Sequence, residues 1–213
     1  MILRELAMSR RDTGESFVSI LMRMGCRKGR VALAALVFPV LCAGQSTWTA
    51  KAPMPTARHE PSAVTIGGLI YVAGGYSGGQ LSVLEAYDPA TNSWSTKAPR
   101  PDVGTSKAHG VIDNIFYEAG GTNCCVAVNS AFAYDPATDS WANRTSMSTA
   151  RQRPIAGVIN GKLYVAGGLN TSGARNTLEV YDPTTNAWQS LAAMPTARYG
   201  SGGGVINGLF YVV

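Results

Sequence analysis

With 213 residues the chain has room for one ordinary domain or a short repeat array. Its formal charge of +5 would suit an anionic partner, but 7 of the 18 Lys/Arg and 3 of the 13 Asp/Glu fall in residues 1–44, leaving 11 against 10 in the remainder. The body is therefore close to neutral and lacks the dense cationic stripe that phosphate backbones require, so nucleic acid is not an expected partner.

In chain order, the leader comes first. Arg23, Arg27, Lys28 and Arg30 precede the uncharged run Val31–Gly44, which ends in small residues and contains Pro39. A basic stretch, a short apolar stretch and small residues predict a secretory signal peptide within residues 1–44, cleaved before Gln45. The run is shorter than the roughly 20 residues a membrane span needs, so no stable span is expected after cleavage. The alternatives are an uncleaved anchor or a buried helix. The stretch before Met22 and Met24 is long for such a signal and places the expected start at one of those methionines. The small residues that a lipid-anchor site sets before its cysteine are missing ahead of Cys42. The expected location is secreted, periplasmic or cell surface.

After residue 45 the dominant signal is repetition. Trp48, Trp94, Trp141 and Trp188 keep one interval, and Tyr71, Tyr117, Tyr164 and Tyr211 keep it too. The pairs Gly74-Gly75, Gly120-Gly121 and Gly167-Gly168 follow the same register, as do the Tyr-Asp-Pro triplets that begin at Tyr87, Tyr134 and Tyr181. Each period predicts four short strands. In the third they span 155–159, 162–166, 177–181 and 187–191, with Asn160-Gly161 as a two-residue hairpin turn. The second strands, Leu69–Ala73 and Lys162–Ala166, alternate little, which suits a sheet covered on both faces. A lone fourth strand is expected around Trp48.

Tyr-Val-Ala-Gly-Gly, then Tyr-Asp-Pro-x-Thr-x-x-Trp, then Met-Pro-x-x-Arg resembles the Kelch repeat, over all of Gln45–Val213. The resemblance implies an all-β Kelch-type β-propeller, with about three and a half four-stranded blades present. The blades fall near 54–97, 100–144 and 147–191, with a partial one at 194–213. Kelch propellers usually close with six or seven blades, so part of a larger ring is the expectation. A ring assembled from two copies, through self-association, and a small four-bladed ring lacking one strand are the alternatives. The repeated Trp, Tyr and Gly residues are then read as structural.

Signals for chemistry are few. Gly75-Tyr-Ser-Gly-Gly79 fits a hydrolase nucleophile pattern but precedes a loop and strand, where that motif has no strained strand-to-helix turn. His59 and His109 sit at different repeat positions, which gives no metal-ligand set, and no cofactor is expected. Asn143-Arg-Thr145 and Asn170-Thr-Ser172 are glycosylation sequons. Cys124 and Cys125 are adjacent and form the candidate disulfide; neighbouring Cα atoms lie about 3.8 Å apart, below the usual disulfide range, so two loop thiols are the default reading.

Arg58, Arg151 and Arg198 recur ten residues after each Trp, while the second repeat has Gly104 there. The resemblance places this Arg on the face near the central opening, where it is a ligand-binding candidate for carboxylates of a protein or glycan. The other reading is pairing with backbone carbonyls or a neighbouring blade. On the same face the loops Tyr76–Ser82, Thr122–Asn129 and Leu169–Asn176 differ most between repeats. The leading expectation is a non-enzymatic binding module for a protein or glycan. The alternatives are a propeller enzyme on a sugar (a sialic-acid-type epimerase or sugar oxidase, with Glu60, Glu118 or His109 as acid–base groups) and a purely structural repeat.

Overall fold

The computed structural model describes residues 48–213; the leader and its cleavage site lie outside the described residues. Three four-stranded antiparallel sheets follow one another. The first is built from β1 (Ser62–Ile66), β2 (Leu69–Ala73), β3 (Leu84–Asp88) and β4 (Ser93–Lys97). The second uses β5 (Ala108–Ile112) and β6 (Ile115–Ala119), then β9 (Ala131–Asp135) and β10 (Ser140–Arg144). Between β6 and β9 lies a small hairpin, β7 (Thr122–Asn123) and β8 (Val126–Ala127). The third sheet repeats the scheme with β11 (Ile155–Ile159), β12 (Lys162–Ala166), β15 (Leu178–Asp182) and β16 (Ala187–Leu191). It carries its own small hairpin, β13 (Leu169–Asn170) and β14 (Gly173–Ala174). A two-stranded sheet, β17 (Gly203–Ile206) and β18 (Leu209–Val212), follows.

Local chemistry explains the repeat. Between the first two strands of each sheet stand Gly67-Gly68, Asp113-Asn114, Asn160-Gly161 and Asn207-Gly208, all with positive φ, the backbone a two-residue hairpin turn demands. At each Tyr-Asp-Pro turn the Asp carboxylate accepts from the backbone two residues on: Ala90 at 2.8 Å, Ala137 at 2.8 Å and Thr184 at 2.9 Å. The tryptophans stitch sheet to sheet. Nε1 of Trp94, Trp141 and Trp188 donates to the carbonyls of Ala52, Ala98 and Thr145, at 3.0, 2.9 and 2.7 Å. Gly120, with φ +66, could not carry a side chain: a Cβ would sit 2.7 Å from the Arg151 carbonyl of the next repeat.

The core lies between sheets, not within one. Tyr134 packs on Tyr71 and Tyr181 on Tyr117, so each third strand covers the second strand of the preceding sheet. Leu84 and Phe116 are fully buried in the first such layer, Leu163 and Val165 in the second. Each large apolar side chain buried this way contributes about 1.5–3 kcal/mol. The first strands β1, β5, β11 and β17 neighbour one another in sequence order and form the inner rim.

One expectation needs correction. The described residues hold no strand around Trp48, which is fully exposed; a fourth strand needs a third to pair with, and none lies beside it. The variable loops of the second and third sheets contain the small hairpins. Among the described residues no helix is long and apolar enough to cross a membrane.

Candidate ligand face

The segment entering a sheet runs from the outer strand of the preceding repeat to the inner rim and, in every repeat but the second, carries the repeated arginine. In the first and third sheets it does not present that arginine to solvent. Arg58 donates from Nε to the Thr56 carbonyl and from Nη1 to the carbonyls of Gly74 and Val83, and its Nη2 pairs with the Glu85 carboxylate. Arg151 is wholly buried. Its Nη1 donates to the carbonyls of Gly167 and Thr177 and to Thr177 Oγ1, and Nη2 pairs with Glu179. Burial pulls the Arg151 pKa down from its ordinary value, and the Glu179 charge opposes that fall. Arg198 is half-buried; Nη1 reaches the Val212 carbonyl at 3.4 Å, and the side chain lines an apolar groove of about 560 Å³ between β12, β15 and β18. Two of the three arginines expected to meet a ligand thus turn their guanidinium groups inward, onto backbone carbonyls and a third-strand glutamate, with Arg151 Nε buried and without a hydrogen-bond partner among the described residues.

The second sheet lacks this arginine but not the ion pair. Arg100 reaches in from four residues earlier: Nη1 meets the Glu118 carboxylate at 3.1 Å and Nη2 the Gly104 carbonyl at 2.8 Å. Glu118 is buried in this pair, which removes it from the exposed acid–base candidates. Lys107 is buried beside it, donating to Asp102 and to the Gly120 carbonyl, both at 3.0 Å, with its ammonium over the Phe132 ring. Desolvation, with Arg100 repulsion second, lowers the Lys107 pKa.

What the face does present is a different repeat position, two residues beyond the arginine. Glu60, Ser106, Arg153 and Gly200 occupy it, all in the left-handed region with φ of 53°, 55°, 52° and 61°. Their main chains join into a ladder around the inner rim. Ser106 N–H donates to the Glu60 carbonyl, Arg153 to Ser106, and Gly200 to Arg153, at 3.3, 3.0 and 2.9 Å. Above the ladder the side chains converge: Ser106 Oγ donates to Glu60 Oε2 at 2.6 Å, and Arg153 Nη2 to Glu60 Oε1 at 2.8 Å. The Ser106 hydrogen bond, reinforced by Arg153, holds the Glu60 carboxyl below its ordinary value against partial desolvation. Glu60 and Arg153 stay substantially exposed, at 36 % and 48 % of their side-chain surface. With His109, whose Nδ1 lies 3.1 Å from the Lys107 carbonyl, they line a shallow recess of about 310 Å³.

Sequence reasoning named Glu60 and His109 only as acid–base candidates and missed Ser106 and Arg153. One signal was available: within an otherwise repeated register this position reads Glu, Ser, Arg, Gly, the variation expected of a surface freed from framework duty. Cys124 and Cys125 are free and exposed at the tip of the β7–β8 hairpin, so the candidate disulfide is not formed here. Among the described residues no group of three or more His, Cys, Asp or Glu is placed to hold a metal ion.

Sheets stacked through their third strands, with first strands gathered on an inner rim, define a run of β-propeller blades. The Kelch motif matches residues 57–101, 104–148 and 154–195, more than half of the chain. The chain belongs to the Kelch-repeat family. Among solved structures it is similar to that of YjhT, with a TM-score of 0.70 at 20 % identity, over 77 % of this chain. It spans 61 % of that structure's length. That likeness is one of fold. Among curated proteins none matches it.

Proposed function

We propose that this chain is an exported binding module that takes a protein or glycan ligand on its loop face, centred on Glu60, Ser106 and Arg153. One observation carries the reading: three successive blades aim different polar side chains at one point, while two of the three arginines expected there, Arg58 and Arg151, are locked into the frame. A cation, a carboxylate and a hydroxyl within hydrogen-bonding reach suit a ligand carrying both an acidic group and donors, such as an acidic peptide segment or an acidic sugar. The small hairpins, whose sequences differ between blades, are tied to the entering segments by the bridges Thr105–Thr122 and Gln152–Leu169. Export rests on the leader, and membership of a larger ring on the blade count.

The test is a glycan array and a pull-down with the wild-type chain, Arg153→Ala and Glu60→Gln. Ligand capture weakened at least tenfold by both variants supports the site. Capture that ignores both variants moves the site elsewhere, and silence of the wild-type chain on every array counts against the binding reading. A sugar-converting enzyme is the second reading, favoured by the position of His109 beside the same recess. Turnover of an acidic sugar that is lost in His109→Gln would select it.

A further inference from the structure

In each four-stranded sheet the second strand lies between the first and the third: β2 between β1 and β3, β6 between β5 and β9, β12 between β11 and β15. β18 stands at that second position, yet among the described residues only β17 pairs with it. Its other edge holds main-chain donors and acceptors with no strand beside them, a template for a further strand. The apolar groove of about 560 Å³ opens here, lined by Phe210 and Val212 of β18 and by Tyr164, Leu178, Met194 and Arg198.

The other sheets show what such a groove holds. Tyr71 and Tyr117, the repeat equivalents of Tyr164, are covered by the third-strand residues Tyr134 and Tyr181 of the next sheet. Both covered tyrosines are buried, whereas Tyr164 is only half-buried. Leu84 is fully buried, and its equivalent Leu178 is not. In the first and third sheets the entering arginine pairs with a glutamate that stands two residues before a third-strand tyrosine, Glu85 before Tyr87 and Glu179 before Tyr181. Arg198 is the entering arginine of β17–β18, and among the described residues no carboxylate pairs with it. The groove thus lacks a strand edge, an aromatic ring and a carboxylate, at the spacing of one Glu-x-Tyr segment. Register agrees. Glu85 and Tyr87 stand opposite Val72 and Ile70, Glu179 and Tyr181 opposite Val165 and Leu163. The matching positions on β18 are Val212 and Phe210, both in the groove wall.

We infer that this groove takes an extended segment of another polypeptide, carrying Glu two residues before Tyr, which adds antiparallel to β18. The incoming main chain extends the ladder, the glutamate meets Arg198, and the aromatic ring covers Tyr164. The described residues have no such segment to spare, since Leu84–Asp88 and Leu178–Asp182 are the third strands of their own sheets. A second copy would have to dismantle a sheet to donate one, so the partner is a different chain. The inference is independent of the ligand recess.

The test uses the full chain and a fluorescent, end-blocked peptide Thr-Leu-Glu-Val-Tyr-Asp, the sequence of residues 177–182. One peptide per chain should bind. Replacing the peptide's Glu by Gln, or its Tyr by Ala, should weaken binding at least tenfold. On Arg198→Gln the Glu and Gln peptides should bind alike, at the strength the Gln peptide has on the parent, a pattern that misfolding would not give. Arg153→Ala should leave peptide binding unchanged, which separates this groove from the recess. Amide hydrogen exchange in β18 should slow on binding, and that in the outer strands β4, β10 and β16 should not. A parent that binds no peptide, indifference to the peptide's Glu or to Arg198, or protection at an outer strand instead of β18 would each overturn the inference. So would a dimer paired through β18 that forms without peptide and that peptide does not dissociate.

Discussion

Blades one and three solve a packing problem in one way and blade two in another. In the first and third, an arginine at the end of the entering segment pairs with a third-strand glutamate: Arg58 with Glu85, Arg151 with Glu179. In blade two the arginine has moved four residues earlier, to Arg100, and the carboxylate has moved one strand inward, to Glu118. The sheet register explains how both changes agree. Glu85 stands opposite Val72, Glu179 opposite Val165, and Phe132 opposite Glu118, so the carboxylate has exchanged places with its cross-strand partner. The site on the sheet face is kept while the residues that fill it are redistributed. What the blade requires is a buried cation and carboxylate tying the entering segment to the sheet; which position supplies each charge is negotiable.

The largest effect should come from cutting these ties. Glu85→Ala, Glu118→Ala and Glu179→Ala each strand a buried guanidinium, at an expected cost of about 3–5 kcal/mol in urea unfolding. A blade-two loss below about 1 kcal/mol, the range of exposed pairs, would break the equivalence of the two arrangements.

A middle-sized effect tests whether blade two can be converted. Gly104→Arg alone should destabilise by about 1–3 kcal/mol, because a Cβ there meets the Thr122 carbonyl at 2.6 Å and Arg100 already fills the space. Adding Arg100→Met, Glu118→Val and Phe132→Glu restores the pattern of the other blades. The four together should then cost less than the sum of their separate effects, with a coupling of about 0.5–3 kcal/mol. Additive losses would mean that the two arrangements depend on different backbones.

The smallest effect separates frame pairs from the exposed one at the recess. Glu60 has a folded pKa held below its ordinary value of 4.5, so its stabilisation is complete above that value and is lost as pH falls through the lowered one. The stability gap between wild type and Glu60→Gln should be at most about 1 kcal/mol at pH 7 and should shrink progressively as pH falls below 4.5. A gap that persists in acid would show that Glu60 acts through its shape and not its charge.

The blade pattern was readable because every marker serves the local frame: aromatic packing, a turn carboxylate, or backbone room within one period. The third strand of the third blade begins at Leu178, one residue later than the pattern suggests, since the tie of Arg151 to Thr177 sits just ahead of it. The burial of the arginines was half written in the chain. Glu85 and Glu179 share a repeat position, and where Arg gives way to Gly104, Glu gives way to Phe132. Reading that coincidence as an ion pair requires knowing that the entering segment crosses the third strand. The Glu60–Arg153 contact was not legible at all, since it joins residues 93 apart across an intervening blade and depends on how blades stack.

The ladder through Glu60, Ser106, Arg153 and Gly200 has a last consequence. Its N–H and C=O groups are spent on one another along the rim, so the main chain there has little left to offer a visitor. Recognition at that point falls to side chains that stand on a backbone already satisfied without them. Such a column behaves like a row of exchangeable tips on a common handle: each can be rewritten, as Glu, Ser, Arg and Gly already show, among residue types that tolerate the left-handed backbone the four positions share.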